Sequence, residues 1–166
     1  MTSELAARTR ALSLLFTAWP SVTGTAGERA FASRLSEFVR PFRYSENQLF
    51  AVESGAETCP ISLILKRGKG RRTIVLTGHF DTVPFDDYGD LQDLALDPER
   101  LTVALANHLR QRGLSPLALR DLEGGEYLAG RGLLDMKAGL AAGLAVLEAF
   151  TGEANLILLS VCDEEN

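Results

Sequence analysis

Apolar residues recur at helical spacing at the start of the chain. Leu5, Leu12, Leu15, Phe16 and Trp19 fall on one stripe and predict an amphipathic first helix. Phe31, Leu35, Phe38, Val39 and Phe42 form a second stripe, and Pro41 marks the exit of that helix. Between them, SVTGTAGE (Ser21 to Glu28) reads as a loop rich in Gly, Ser and Thr. Two strands follow, Gln48–Val52 and Ile61–Lys66, the second ending in a turn at Gly68–Gly70. RTIVLT, Arg72 to Thr77, is apolar enough to predict a central strand.

Pro84 to Asp97 is acidic and aromatic and reads as a loop. Asp97-Pro98-Glu99 combines a capping aspartate, a proline at the first helical position and an early acid, a helix start. Leu101, Leu105 and Leu109 line its inner face, and Gly113 ends it. Leu114 to Gly125 reads as irregular, and Glu126 to Ala129 as a short strand. Met136 to Phe150 predicts a helix with Met136, Leu140, Leu144, Leu147 and Phe150 in register. Its Ala138, Gly139, Ala142 and Gly143 allow close approach to a sheet. Asn155 to Val161 is the last strand. Strands alternating with helices predict a single α/β domain with a mostly parallel central sheet.

Charge and cysteine content narrow the classes. A net charge of −5 argues against nucleic acid and anionic membrane surfaces as partners. The basic run Lys66, Arg67, Lys69, Arg71 and Arg72 surrounds two glycines and reads as a solvated turn. Cys59 and Cys162 are too few for a disulfide framework, which suits a reduced, cytoplasmic protein. No run is apolar and long enough to span a membrane.

Three segments carry chemistry. In TGHFDTVP, His79 and Asp81 follow a predicted strand, two residues apart and therefore on one side of extended chain. A metal-bound histidine usually gives its other N–H to a carboxylate, and His79 with Asp81 behind it fits that arrangement. Taken alone, the pair reads as a strand-end histidine near a capping aspartate. In GRGLLDMKAG, Asp135 enters the close-packed helix, where an aspartate also serves as an N-cap. Gly130-x-Gly132 suggests a dinucleotide fingerprint, but Asp135 stands where its third glycine belongs and would repel a pyrophosphate. In SVCDEEN, Asp163, Glu164 and Glu165 follow a strand; alone they read as a solvated tail. Together, one imidazole and several carboxylates at the ends of separate elements are the donor set of a divalent metal.

GHFDTVP, GRGLLDMKAG and DEEN, in that order, resemble the zinc metallopeptidases that include acetylornithine deacetylase, succinyl-diaminopimelate desuccinylase and carboxypeptidase G. SVTGTAGE and the long insert before GRG are similar to the arginine-utilisation branch of that family. The likeness covers nearly the whole chain. It implies a three-layer, phosphorylase/hydrolase-like zinc peptidase catalytic domain with two divalent metal ions, zinc first and cobalt or manganese as alternatives. It implies His79, Asp135 and Glu165 as metal ligands, Asp135 as their bridge, Asp81 as the group orienting His79, and Glu164 as general base. A cis bond at Asp135–Met136 is implied too. Lys137 and His108 read as a helix charge and a surface or packing residue.

The resemblance also implies a further carboxylate and histidine from later sequence, and a lid or dimerisation domain. Residues 1–166 would then be the N-terminal part of the catalytic domain, cut within the site and inactive alone. The substrate would be a small peptide or N-acyl amino acid, in arginine or amino-acid catabolism, and the full-length protein a homodimer. The alternative is a non-catalytic binding or regulatory remnant of the same fold.

Overall fold

The computed structural model describes residues 2–42, 46–54, 57–67 and 70–165, with the strands at 46–54 and 57–67 given as backbone. The predicted turn at Gly68–Gly70 lies largely outside the described residues. Helices α1 (Thr2–Thr17) and α2 (Ala26–Val39) form where the two stripes place them. Strands β1 (Glu46–Ser54) and β2 (Glu57–Arg67) are longer than expected, and β3 spans Thr73–His79. Helices α3 (Pro98–Arg112), α4 (Pro116–Glu123) and α5 (Ala138–Ala149) precede β4 (Asn155–Val161).

The sheet order is β1-β2-β4-β3. β3 and β4 run parallel, from Thr73 beside Asn155 to His79 beside Val161. The long crossover through α3, α4 and α5 makes that direction possible. β2 joins β4 antiparallel, and β1 pairs antiparallel with β2, its neighbour in sequence. Parallel pairing is therefore confined to β3–β4 among the described strands. β3 is not central: it lies at the edge of the described sheet, and Ile74 and Val75 are about half exposed, at 49% and 52%. The central apolar strand is β4, because β2 and β3 both bond to it.

The alternation along β4 shows where the core sits. Leu156, Leu158 and Ser160 are buried, and the residues between them are half-buried. Leu156 and Leu158 belong to one cluster with Leu12 and Phe16 of α1, Phe31 and Leu35 of α2, and Leu140 and Leu144 of α5. These helices cover one face of the sheet. On the other face, carried by Val75 and Ile157, no third layer is present among the described residues. Phe31 stacks on Phe80 at 4.7 Å and meets Phe16 edge-on at 6.0 Å. Burying such a ring stabilises the fold by about 1.5–3 kcal/mol.

Three local expectations change. Asp86–Leu94 is a 3-10 segment rather than a plain loop. Leu114–Gly125 contains α4, with Pro116 in its first turn after Ser115. Glu126–Ala129 is irregular and carries no strand. The cap at α3 forms as expected: Asp97 Oδ1 accepts from Arg100 N–H at 3.1 Å, and Gly113 closes the helix in the left-handed region at φ 64°. No helix among the described residues is long and apolar enough to cross a membrane.

Candidate metal centre

The last residues of β3 place one imidazole. Gly78 precedes it because Met136 packs there; a Cβ at Gly78 would come within 2.6 Å of Met136 Cε. Phe80 then points into the aromatic core, fully buried, while His79 and Asp81 turn the other way. His79 Nδ1 lies 3.1 Å from the Asp81 main-chain oxygen and 3.4 Å from its carboxylate Oδ1. The main-chain oxygen is thus the nearer partner of the ring, with the carboxylate behind it. Asp81 Oδ2 accepts from Thr23 Oγ1 at 3.1 Å and from Glu165 N–H at 3.0 Å.

The turn Leu133–Lys137 brings Asp135 to the same point. Gly132 adopts φ 69°, and a Cβ there would fall 2.4 Å from Thr82 Cγ2. Gly132 therefore lets the turn that carries Asp135 pack closely against Thr82. The Asp135–Met136 peptide is cis. Lys137, expected to be a helix charge, is instead fully buried and donates from Nζ to the Trp19 carbonyl at 2.6 Å. Burial pushes its pKa down to about 7. His108 is half-exposed on α3, away from this point.

His79 Nε2 is 3.0 Å from Asp135 Oδ1 and 3.8 Å from Glu164 Oε2. Ligand atoms of His79, Asp135 and Glu165 all lie within 4.8 Å of one another. The His79 side chain is buried, whereas those of Asp135 and Glu164 are open to solvent, at 77% and 60%. Burial of the ring opposes its charged form. The Asp135 hydrogen bond and the charges of Asp81 and Glu164 outweigh it, so the His79 pKa is raised.

The donor chemistry fits a divalent metal. Both ring nitrogens face oxygens that can only accept, so the imidazole must donate from both, or a cation must replace the proton at Nε2. Among the described residues no lysine or arginine forms an ion pair with Asp135, Glu164 or Glu165. The nearby Arg131 is turned away, paired with Asp87 and lying over the Tyr88 ring at 5.1 Å. One nitrogen and several carboxylate oxygens suit zinc, cobalt or manganese. A cleft of about 320 Å³ opens beside the cluster, lined by Thr82, Arg131, Gly132, Leu134, Asp135 and Glu165. The larger apolar groove between α1 and α5, about 600 Å³, holds none of these groups.

Two polar residues in this setting were not singled out by the sequence. Thr23 hydrogen-bonds Asp81, and Glu28, 4% exposed, accepts from Gly24 N–H at 2.7 Å and Asp163 N–H at 3.2 Å. The spacing Thr25-x-x-Glu28 is a capping-box signal that marks a helix start. It conceals the second use, because Asp163 is remote in sequence. Cys162, just before the acidic triplet, is disulfide-bonded, which corrects the expectation of reduced cysteines; the side chain of the other cysteine, Cys59, is outside the described residues.

Fold and site together define an α/β protein with a candidate divalent-metal centre at the carboxyl ends of two parallel strands. Residues 75–166, more than half of the chain, match the family described as Peptidase family M20/M25/M40, and the chain belongs to that family. It is 35% identical over 156 residues to YqjN of Bacillus subtilis (strain 168), covering 89% of this chain and 28% of that protein. It is 31% identical over 173 residues to RocB of the same organism, covering 97% of this chain and 30% of that protein. The chain thus spans less than a third of the length of these curated relatives. Its fold is similar to that of the di-peptidase Dug1p from Saccharomyces cerevisiae, with a TM-score of 0.69 at 15% identity over 99% of this chain and 33% of that one.

Proposed function

We propose that the intact protein is a dinuclear metal hydrolase, a zinc metallopeptidase or amidohydrolase that cleaves a small peptide or an N-acyl amino acid. Residues 1–166 would be the N-terminal part of its catalytic domain, with a lid or dimerisation domain and the remaining ligands in later sequence. The observation that carries the reading is the convergence of His79, Asp135 and Glu165 within 4.8 Å, with Glu164 beside them. Membership of the peptidase family supports it. The resemblance to the arginine-utilisation branch supports a role in amino-acid catabolism.

His79, Asp135 and Glu165 would hold the metal, Asp135 as the bridge between two ions. Divalent cations there would polarise the scissile carbonyl and make the attacking water more acidic. His79 offers Nε2 because Nδ1–H is directed to the Asp81 main-chain oxygen. Glu164, open to solvent at the cleft, would take the proton from the attacking water and return it to the leaving amine. The exposed Leu134 lines the cleft and would meet the substrate's other groups.

The test is Glu164→Ala in the intact protein. Turnover of N-acyl amino acids and dipeptides should fall by roughly 10²–10⁴-fold, while zinc content by elemental analysis stays at the wild-type value. Full turnover in that variant would remove Glu164 from the role. Wild-type protein that binds zinc but hydrolyses neither substrate class would favour the non-catalytic binding reading.

A further inference from the structure

We propose that Glu28 is a positioning residue for the general base: it fixes the turn that carries Glu164. The inference rests on the reading of Glu164 given above. The Glu164 side chain is 60% exposed and lies 3.8 Å from His79 Nε2, too far for a hydrogen bond that would orient it. Its direction must come from its backbone. On one side, Asp163 N–H donates to Glu28 Oε1 at 3.2 Å. On the other, Glu165 N–H donates to Asp81 Oδ2 at 3.0 Å. Both acceptors are buried carboxylates, and each comes from a different segment of the chain. Glu164 is thus held between two charge-assisted hydrogen bonds, which are stronger than neutral ones.

Asp163 shows why such ties are needed. Its φ is 63°, in the left-handed region that a residue with a side chain enters at a cost. A helix cap does not account for Glu28 by itself. In a capping box the glutamate returns to the N–H of the cap residue, here Thr25. Glu28 instead reaches Gly24 N–H with one oxygen and Asp163 N–H with the other. Burying this carboxylate among Asp81 and Asp163 is unfavourable, so its place is explained by what it holds.

The experiment compares Glu28→Asp and Glu28→Gln in the intact protein. Asp keeps the charge but loses a methylene of reach; Gln keeps the reach but offers one carbonyl acceptor where two N–H groups must be met. Glu28→Asp should lower kcat by about 30-fold or more, with KM and zinc content unchanged, and Glu28→Gln should lie between Glu28→Asp and wild type. Hydrogen exchange of the peptide spanning Cys162–Glu165 should quicken in Glu28→Asp, and by less in Glu28→Gln. Wild-type kcat and exchange in Glu28→Asp would overturn the proposal and leave Glu28 as a helix cap. A joint loss of stability, zinc and substrate affinity in both variants would also overturn it. If wild-type protein hydrolyses nothing, the functional reading fails on its own, and the exchange measurement still decides whether Glu28 fixes the turn.

Discussion

At the amino ends of β3 and β4 the polar groups close on near neighbours. Asn155 N–H donates to the Arg72 carbonyl at 2.7 Å, and Asn155 Nδ2 donates to Thr73 Oγ1 at 3.3 Å. Donor meets acceptor, the groups are neutral, and nothing further is required. At the carboxyl ends of the same strands the arrangement is reversed. His79 faces acceptors on both sides, the carboxylates of Asp81, Asp135, Glu164 and Glu165 gather around it, and among the described residues Asp81 Oδ1 and Thr82 Oγ1 are buried without a hydrogen-bond partner. Acceptors that face acceptors need a proton or a cation between them. The difference sets the candidate metal centre at one end of a shared scaffold, the end where α/β sheets receive their ligands.

The comparison can be tested by perturbing what the two ends share, then one end at a time. Phe31→Ala removes the ring stacked on Phe80, which lies between His79 and Asp81 in sequence. It should cost about 3–5 kcal/mol of stability, read by chemical denaturation. Zinc affinity of the folded variant should change little. A zinc affinity that collapses while the fold persists would show that the aromatic core sets the site directly.

Lys137 sharpens the contrast through pH. Its folded pKa is depressed to about 7 by burial, so the folded state disfavours the charged form. Between that value and the ordinary lysine range, the unfolded chain binds more protons than the folded one. Stability must therefore rise with pH over this window, and the gain is lost as pH falls back towards 7. In metal-free protein the rise between pH 7 and 9 should be roughly 1–3 kcal/mol, and Lys137→Met should remove it. Parallel stability curves for variant and wild type would show that Lys137 keeps an ordinary pKa.

The smallest effect belongs to the quiet end. Asn155→Ala removes one exposed side-chain hydrogen bond and should cost about 0.5–1.5 kcal/mol at most. Zinc binding and turnover should be unchanged, as read by calorimetric titration and initial rates. A larger effect on turnover than on stability would show that the two ends are coupled along the strands.

Much of this architecture was legible because it is local. The stripes of α1 and α2, the cap and glycine stop of α3, and the bounds of β4 follow from spacing and from single residues with strong conformational preferences. His79, Asp135, Glu164 and Glu165 could be picked out because each stands at the end of an apolar element. α4 was missed although Ser115-Pro116 is a start signal, because the helix is only eight residues long and follows directly on the glycine stop of α3. The 3-10 segment at Asp86–Leu94 was missed because its acidic, glycine-containing text reads as a loop.

The sequence by itself determined which segments coil, which extend, and which residues bring an imidazole and carboxylates to strand ends, since these depend on neighbours within a few positions. Only the tertiary structure decided the order of the strands, and with it that β4 is central and β3 an edge. It also decided that residues 56 positions apart, His79 and Asp135, meet at 3.0 Å, and that Asp81, 84 positions from Glu165, holds its backbone. The physical reason is that hydrogen bonds and charges act through space. A buried carboxylate such as Glu28 looks like a helix cap until the fold brings Asp163 within its reach.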